Sequence, residues 1–495
     1  MKLPIHHPIP AVQRPGASAP ARSFRPRWFL GTAAFGLCAW LLAGCAVGPD
    51  YRRPADPVLS PAAFRGETSG ATNSLADLPW WRVFHDDALQ ALVRTALTNN
   101  YDVRIAVARV EQARAGAAAA RGAFYPQLDY ALTAGGGKNI SGDAPSPTGK
   151  RGSVLAADVT ASWELDLWGR LRRLNESARA QYLASEQTRR DVQVSLIAQV
   201  AQGYFQLLAL DRQLAIAEES TNSYGASLNI FNERLHGGVA SRLETASAEA
   251  LMEAASATIP DLERQIGQQE DQLSVLLGQN PDVILRGAVS LEQQAPPEVP
   301  AGLPSALLER RPDVRAAEEQ LRSANAQVGV ARANFLPQLD LTALLGAVSP
   351  ELSAFTAGAA PAWGLAAGLT GPLFHGGELR AQYAQARAVR DQYALEYEST
   401  VLTAFQETAD ALIAREKLTA ARARQARAVA AYQEAVKVAL QRYRLGQADY
   451  YEVLQEQQLL FPAENSLVQF QLNQLLAVVQ LYRALGGGWD AAGPH

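Results

Sequence analysis

The chain has 495 residues, with 45 lysines and arginines against 49 aspartates and glutamates; a formal net charge of -4 leaves no basic footprint for nucleic acid. Its two cysteines, Cys38 and Cys45, both lie near the start, and Met252 is the only methionine beyond Met1, which excludes a disulfide framework, a cysteine metal site and a thioether copper site. No run of about 20 apolar residues is expected to remain in the mature chain, so a transmembrane helix is not expected; the mean hydropathy of -0.10 does not exclude a membrane, since barrel strands hide their apolar residues by alternation.

Arg22, Arg25 and Arg27 precede an apolar run from Trp28 to Leu42, within which begins Leu42-Ala43-Gly44-Cys45. A basic start, an apolar core and small residues before a cysteine match a bacterial lipoprotein signal. Residues 1–44 are therefore expected to be removed and Cys45 to carry a covalent lipid, with no other cofactor. An ordinary signal peptide or an uncleaved anchor is the alternative. Residues 45–80, rich in Pro, Ser and Gly, read as an extended lipidated arm.

The first half of the body spans residues 81–284. Asp86 or Asp87 is placed to cap a helix that runs to about Gly122, with a break near Asn99-Asn100. Pro126 ends it, and Leu128, Tyr130 and Leu132 then alternate with polar neighbours, which predicts a strand. Gly135 to Gly152 reads as a mobile loop. From Val154 to Trp168 the odd positions are apolar and the even ones include Asp158, Thr160, Ser162, Glu164 and Asp166. A run this long with such clean alternation suits a wall between lipid and water; one hairpin of a soluble sheet is the bland alternative. Trp163, Trp168, Trp363 and Phe374 are candidate interface anchors. Arg170 to Leu235 then predicts one helix of about 100 Å at the α-helical rise, turning at His236-Gly237-Gly238 into a return helix from Ser241 to Leu277.

Residues 285–304 form a proline-rich linker, and from 305 to 485 the pattern restarts. Asp102-Val103-Arg104 reappears as Asp313-Val314-Arg315, and Pro126-Gln127-Leu128-Asp129 as Pro337-Gln338-Leu339-Asp340, at one constant offset. Strands are predicted at Gln338–Val348 and Trp363–Phe374, a second long helix at Glu378–Leu445 and a last helix at Asp449–Leu485. Arg234, Gly238 and Glu244 recur as Arg442, Gly446 and Glu452. The chain reads as a tandem repeat with a short flexible tail, residues 486–495.

Four strands cannot close a barrel, and an open edge in lipid leaves backbone groups unpaired at several kcal/mol each. Copies must therefore associate. Two copies give eight strands with a filled interior, while three or more leave room for a lumen. No Ser/His/Asp set, phosphate loop or metal cluster supports catalysis, so an enzyme is not expected.

Several motifs together resemble the outer membrane factors, in the lipoprotein branch that serves tripartite multidrug efflux pumps. They are Leu42-Ala43-Gly44-Cys45 with Val47-Gly48-Pro49-Asp50-Tyr51, Trp80-Trp81 with Phe84 and Asp86, both Pro-Gln-Leu-Asp motifs, Leu165-Asp166-Leu167-Trp168-Gly169-Arg170, and Arg442-Tyr443-Arg444-Leu445-Gly446. The resemblance implies an α+β membrane protein. It would be a TolC-like homotrimer with a 12-stranded β-barrel, four strands per chain, continued by a long periplasmic α-helical barrel. It also implies partners, namely a periplasmic adaptor and an inner-membrane transporter of the proton-driven RND type, and a place in outer membrane lipid. The expected function is a passive exit duct for drugs and other toxic small molecules. A duct for type I protein secretion and a non-conducting structural envelope lipoprotein are the alternatives.

The turns become the periplasmic tip in this reading. Arg234, Gly237, Gly238, Arg442 and Gly446 are the expected adaptor-docking residues, with a merely structural helix end as the alternative. Asp449 and Glu452 are expected to narrow and charge the aperture, or Asp449 to cap the last helix. Asp158, Glu164 and Asp166 are expected to line the lumen as acidic rings that favour cations.

Overall fold

Two helices of 67 residues, α3 (Arg170–His236) and α7 (Glu378–Arg444), set the scale of the fold. Each is about 100 Å long by the helical rise. The computed structural model describes residues 46–54, 65, 86–138, 140–141, 144–145, 151–294, 308–349 and 360–487. The expected signal, Cys45, and Trp80, Trp81 and Phe84 lie outside the described residues.

The element order repeats. The first half holds α1 (Asp87–Asn99), α2 (Tyr101–Gly122), β1 (Gln127–Lys138), β2 (Arg151–Leu165), α3, α4 (Arg242–Ser256) and α5 (Thr258–Leu276). The second holds α6 (Pro312–Ala333), β3 (Gln338–Ser349), β4 (Ala360–Thr370), α7 and α8 (Tyr450–Ala484). Asp86 caps α1, accepting from the amides of Ala88 at 2.9 Å and Leu89 at 3.2 Å. Asn100 ends α1 and caps α2 through Asp102 N at 2.8 Å, and its own amide donates to the Leu276 carbonyl at 2.9 Å. One side chain thus makes the expected break and ties it to α5.

The return helix differs from expectation. It is interrupted at Ala257, between α4 and α5. Pro260 has no amide to give to the carbonyl four residues before it, at the end of α4. Pro462 lies inside α8 without ending it. There Tyr224 Oη donates to the Gln457 carbonyl at 2.9 Å and Gln425 to the Ala463 carbonyl at 2.9 Å.

The four strands form one sheet in the order β1-β2-β3-β4, antiparallel throughout. The strand boundaries correct three expectations. β1 continues through Gly135, Gly136 and Gly137 to Lys138, because ladder pairing with β2 outweighs the poor strand propensity of glycine. β2 stops at Leu165 rather than Trp168, where Asp166 turns toward α3. β4 stops at Thr370 rather than Phe374, since Pro372 cannot donate to the ladder.

The main core lies where the helices cross: Leu89 and Val93 of α1, Val200, Tyr204 and Leu207 of α3, and Val401 of α7 are all fully buried. Residues 46–54 strap α3 to α6. Val47 N donates to the Trp168 carbonyl at 2.9 Å, Arg173 reaches Asp50 at 2.6 Å, and Asn325 reaches the Pro49 carbonyl at 2.9 Å. Gly48, at φ +113°, lies so close that a Cβ would stand 2.5 Å from the Gly329 Cα.

Candidate functional site

The register sorts the strand side chains into two faces. On one face the cross-strand rows read Leu128, Ala161, Ala343, Leu365; then Tyr130, Val159, Leu345, Trp363; then Leu132, Ala157, Ala347, Pro361. No polar side chain enters these rows. Tyr130, Leu132, Trp363 and Leu365 are 76–81% exposed, more apolar surface than water tolerates on a sheet that ends there. The other face carries Gln127, Ser162 and Thr342 in one row, and Asp129 and Thr160 in the next. Among the described residues β1 and β4 each pair on one side only, which leaves both edges of the sheet open there.

Of the three acids expected on the polar face, Asp158 sits there, opposite Gly346, whose missing Cβ leaves room for the carboxylate side chain. Glu164 is also on that face but is held by Arg170, whose Nε donates to Oε1 at 2.9 Å. Asp166 is a correction. It lies beyond the strand and accepts from the amides of Leu171 at 3.0 Å and Arg172 at 2.9 Å, with Arg172 Nε at 3.1 Å. It caps α3, whose N-terminal dipole favours an anion. Two acids not singled out from the sequence share the polar face instead: Asp129, opposite Thr160, and Asp340, opposite Glu164. Their signal was present, because each stands two residues after the glutamine of a Pro-Gln-Leu-Asp strand start and so on the same face as it. Of the candidate anchors, Trp363 lies on the apolar face and Phe374 is 89% exposed just past the sheet, whereas Trp168 donates from Nε1 to the Pro337 carbonyl at 2.7 Å.

The far ends of the long helices meet in a second, smaller core of Phe231, Ala248, Ala439, Tyr443 and Val453. Gly238 at φ +73° and Gly446 at φ +72° end the helices in the left-handed conformation. Val239 N to the Arg234 carbonyl and Gly238 N to the Leu235 carbonyl close one end; Gln447 N to Arg442 and Gly446 N to Tyr443 close the other. Both are Schellman endings, which need a residue without a Cβ at that φ. Gly237 is right-handed at φ -74° and carries none of this.

Arg234 joins the two turns. Its guanidinium lies 4.4 Å from the centre of the Tyr443 ring and donates to the Tyr443 carbonyl at 3.2 Å. Tyr443 in turn meets Phe231 edge to face at 5.2 Å. Arg442 pairs with Glu452 at 2.9 Å across its own turn, so the Glu452 charge is matched within the chain. Asp449 stands at the N-cap position of α8 but makes no side-chain capping bond, and it is exposed. Arg234→Ala removes one cation–π contact and one hydrogen bond, a loss of about 1–2 kcal/mol. Limited proteolysis is expected to cut near residues 236–240 or 445–449 sooner in the variant; an unchanged digestion time would refute the coupling of the two turns.

Comparison with known proteins converges on one group. The family model described as outer membrane efflux protein matches residues 92–279 and 303–487. The toluene efflux pump outer membrane protein TtgC of Pseudomonas putida is 36% identical over 459 residues, covering 91% of this chain and 94% of that one. Among solved structures, the outer-membrane channel OprN is similar with a TM-score of 0.84 at 31% identity, covering 90% of this chain and 100% of that one. The open state of the Neisseria gonorrhoeae MtrE outer membrane channel has a TM-score of 0.81 at 33% identity, covering 90% and 99%.

Proposed function

The chain belongs to the outer membrane efflux protein family, and from that premise we propose that three copies close one 12-stranded barrel, prolonged by their long helices into a periplasmic duct. The protein is an outer-membrane channel of an efflux pump, the passive exit for small toxic molecules. The observation that carries the assembly is the sheet whose outer strands each pair on one side only among the described residues and whose one face is apolar through three successive rows. Such a sheet is stable in lipid only when every edge is paired with another copy.

The two turns at Gly238 and Gly446, with Arg234 and Arg442 beside them, are where a periplasmic adaptor docks, and an inner-membrane transporter of the proton-driven RND type supplies the energy. Cys45, one residue before the strap, carries the lipid that holds the chain at the outer membrane. The two halves descend from one tandem-duplicated unit. Purified protein in a planar bilayer is expected to conduct, and deletion of its gene to raise susceptibility to dyes, detergents and organic solvents. A silent bilayer with unchanged susceptibility would remove the duct reading.

Two properties of the duct follow from single side chains. Asp158 appears three times in the ring and points its charge into the lumen, so the channel favours cations; Asp158→Asn is expected to move the reversal potential in a salt gradient toward zero. Asp449 is exposed at the tip and caps nothing, so it is free to charge the aperture. Asp449→Ala is expected to change closed-state current without changing the melting temperature. A stability loss with unchanged current would assign it to the helix end instead.

A further inference from the structure

We propose that the cleft between α2 and α3 binds a small amphipathic organic acid, whose carboxylate is taken by Arg109 and Arg189 and whose apolar body rests on Ile105 and Val192. The inference rests on the exit-duct reading for the source of the ligand, the stream of small toxic molecules, and adds a chemical class to it.

Helical spacing builds the two walls. On α2, Asp102, Ile105, Ala106 and Arg109 recur at steps that keep them on one side of the helix, and all four border the cleft. On α3, Gln181, Ser185, Thr188, Val192 and Ser195 do the same. Between the stripes lies a cavity of about 670 Å³, which Tyr393 of α7 also borders. Sites for small molecules have volumes of about 300–1,000 Å³. Part of the space is owed to small side chains: Ala106 and Ala184 line it and are 6% and 5% exposed, so a single carbon stands where a leucine would fill the floor.

Four charged side chains border the cavity, two of each sign: Asp102, Asp191, Arg109 and Arg189. Both anions have other claims on them. Asp102 stands in the first turn of α2, where the helix dipole favours a negative charge. Asp191 also borders a neighbouring cavity of about 230 Å³ that holds Arg311 and Arg483. The cations have no such claim. Arg109 makes no hydrogen bond or ion pair with a described residue. Arg189 is half-buried and reaches only Gln193 Oε1, at 3.4 Å. A half-buried guanidinium without an anion is costly until something supplies one.

A carboxylate supplies it, with paired N–H···O bonds to a planar guanidinium. Ile105, 48% exposed, stands one turn from Arg109 on the same side of α2, about 6 Å by the helical rise. Over that length an aromatic acid passes from carboxylate to hydrocarbon. An organic cation would meet two unmatched guanidinium groups and be repelled.

The test is equilibrium dialysis of the full-length protein in detergent against labelled 2-naphthoate, with protein-free micelles as the blank. One molecule per chain is expected to bind. The uncharged isostere 2-naphthamide is expected to bind roughly tenfold more weakly, since it forfeits the charge-assisted bonds. Arg109→Gln with Arg189→Gln is expected to abolish the preference for the acid, and the exposed Arg109→Gln alone to reduce it should the double variant fail to fold. Arg104→Gln, whose guanidinium lies over the Tyr101 ring outside the cleft, is expected to bind as the unsubstituted chain does. No binding, equal binding of acid and amide, or an undiminished preference in the arginine variants overturns the site. So does loss of the trimer in Thr188→Trp, which would give the cleft to a second copy of this chain. A planar bilayer made with the same preparation separates the two readings. Protein that conducts without binding keeps the duct and loses the site; protein that binds without conducting keeps the site and loses the duct.

Discussion

Leu365→Arg is expected to abolish the proposed trimer in the outer membrane. Leu365 is the middle residue of β4, 78% exposed, and shares its row with Leu128, Ala161 and Ala343. A guanidinium on the lipid side of a barrel costs about 2–4 kcal/mol near the bilayer midplane. A ring of three pays it three times, a sum of the same order as the whole stability of a typical domain. The neighbouring position supplies the control. Gly364 points to the opposite face, and a Cβ there meets no heavy atom within 4 Å. Gly364→Arg is therefore expected to assemble normally and to lower the conductance by placing a cation in the lumen. The measurement is the fraction of chain that runs as trimer without boiling from purified outer membranes. Normal trimer for Leu365→Arg beside lost trimer for Gly364→Arg would reverse the faces and, with them, the direction of the barrel.

The second large effect belongs to Asp191. It borders a cavity of about 230 Å³ between α3, α6, α7 and α8, with Arg311, Asp313, Glu407 and Arg483 around the same space. Arg311 is committed to Asp313 at 2.6 Å and Glu407 at 2.8 Å, and Arg483 to Glu407 at 2.9 Å. Two cations are thus already matched by two carboxylates, and Asp191 is the third. Burial first, then the charge of Asp313, opposed by Arg311 and Arg483 and helped least by Glu407, pushes its carboxyl up to about 6. An acid raised on folding binds its proton more tightly in the folded state than in the unfolded one. Stability is therefore unaffected below the ordinary carboxylate range, falls as the pH rises from about 4 to about 6, and stays lowered above it. A shift of about two units corresponds to about 3 kcal/mol per chain. Asp191→Asn keeps the shape and cannot ionise, so it is expected to raise the melting temperature at pH 7.5 and to have little effect at pH 4. Parallel pH profiles for the variant and the unsubstituted protein would show that Asp191 is not the responsible group.

Much of this architecture is legible in single residues. The stripe Leu196, Val200, Tyr204 and Leu207 is buried as its helical spacing requires, and Asn100 breaks the first helix where a break was expected. Strand alternation assigned each residue to a face, and the ladder register keeps those faces apart across all four strands. The polar side was harder. Asp166 continues the alternation of β2 in the sequence, and only the amides at the start of α3 draw it out of the strand. Glu164 is charged in sequence and matched in space, because Arg170 returns to it from the next element. The partnership of Arg234 with Tyr443 joins residues more than two hundred positions apart, and no local pattern announces it.

The sequence by itself determined where the long helices and the strands begin and which face of each strand is apolar, because those follow from spacing along one chain and from where glycine and proline stand. It also gave the reason for proposing that copies associate, since strands can be counted before they are placed. The tertiary structure alone decided which charges remain free and which carboxylate is left over in a buried cluster. Those depend on distances between groups far apart in the chain, and charge matching and burial are properties of neighbourhood in space.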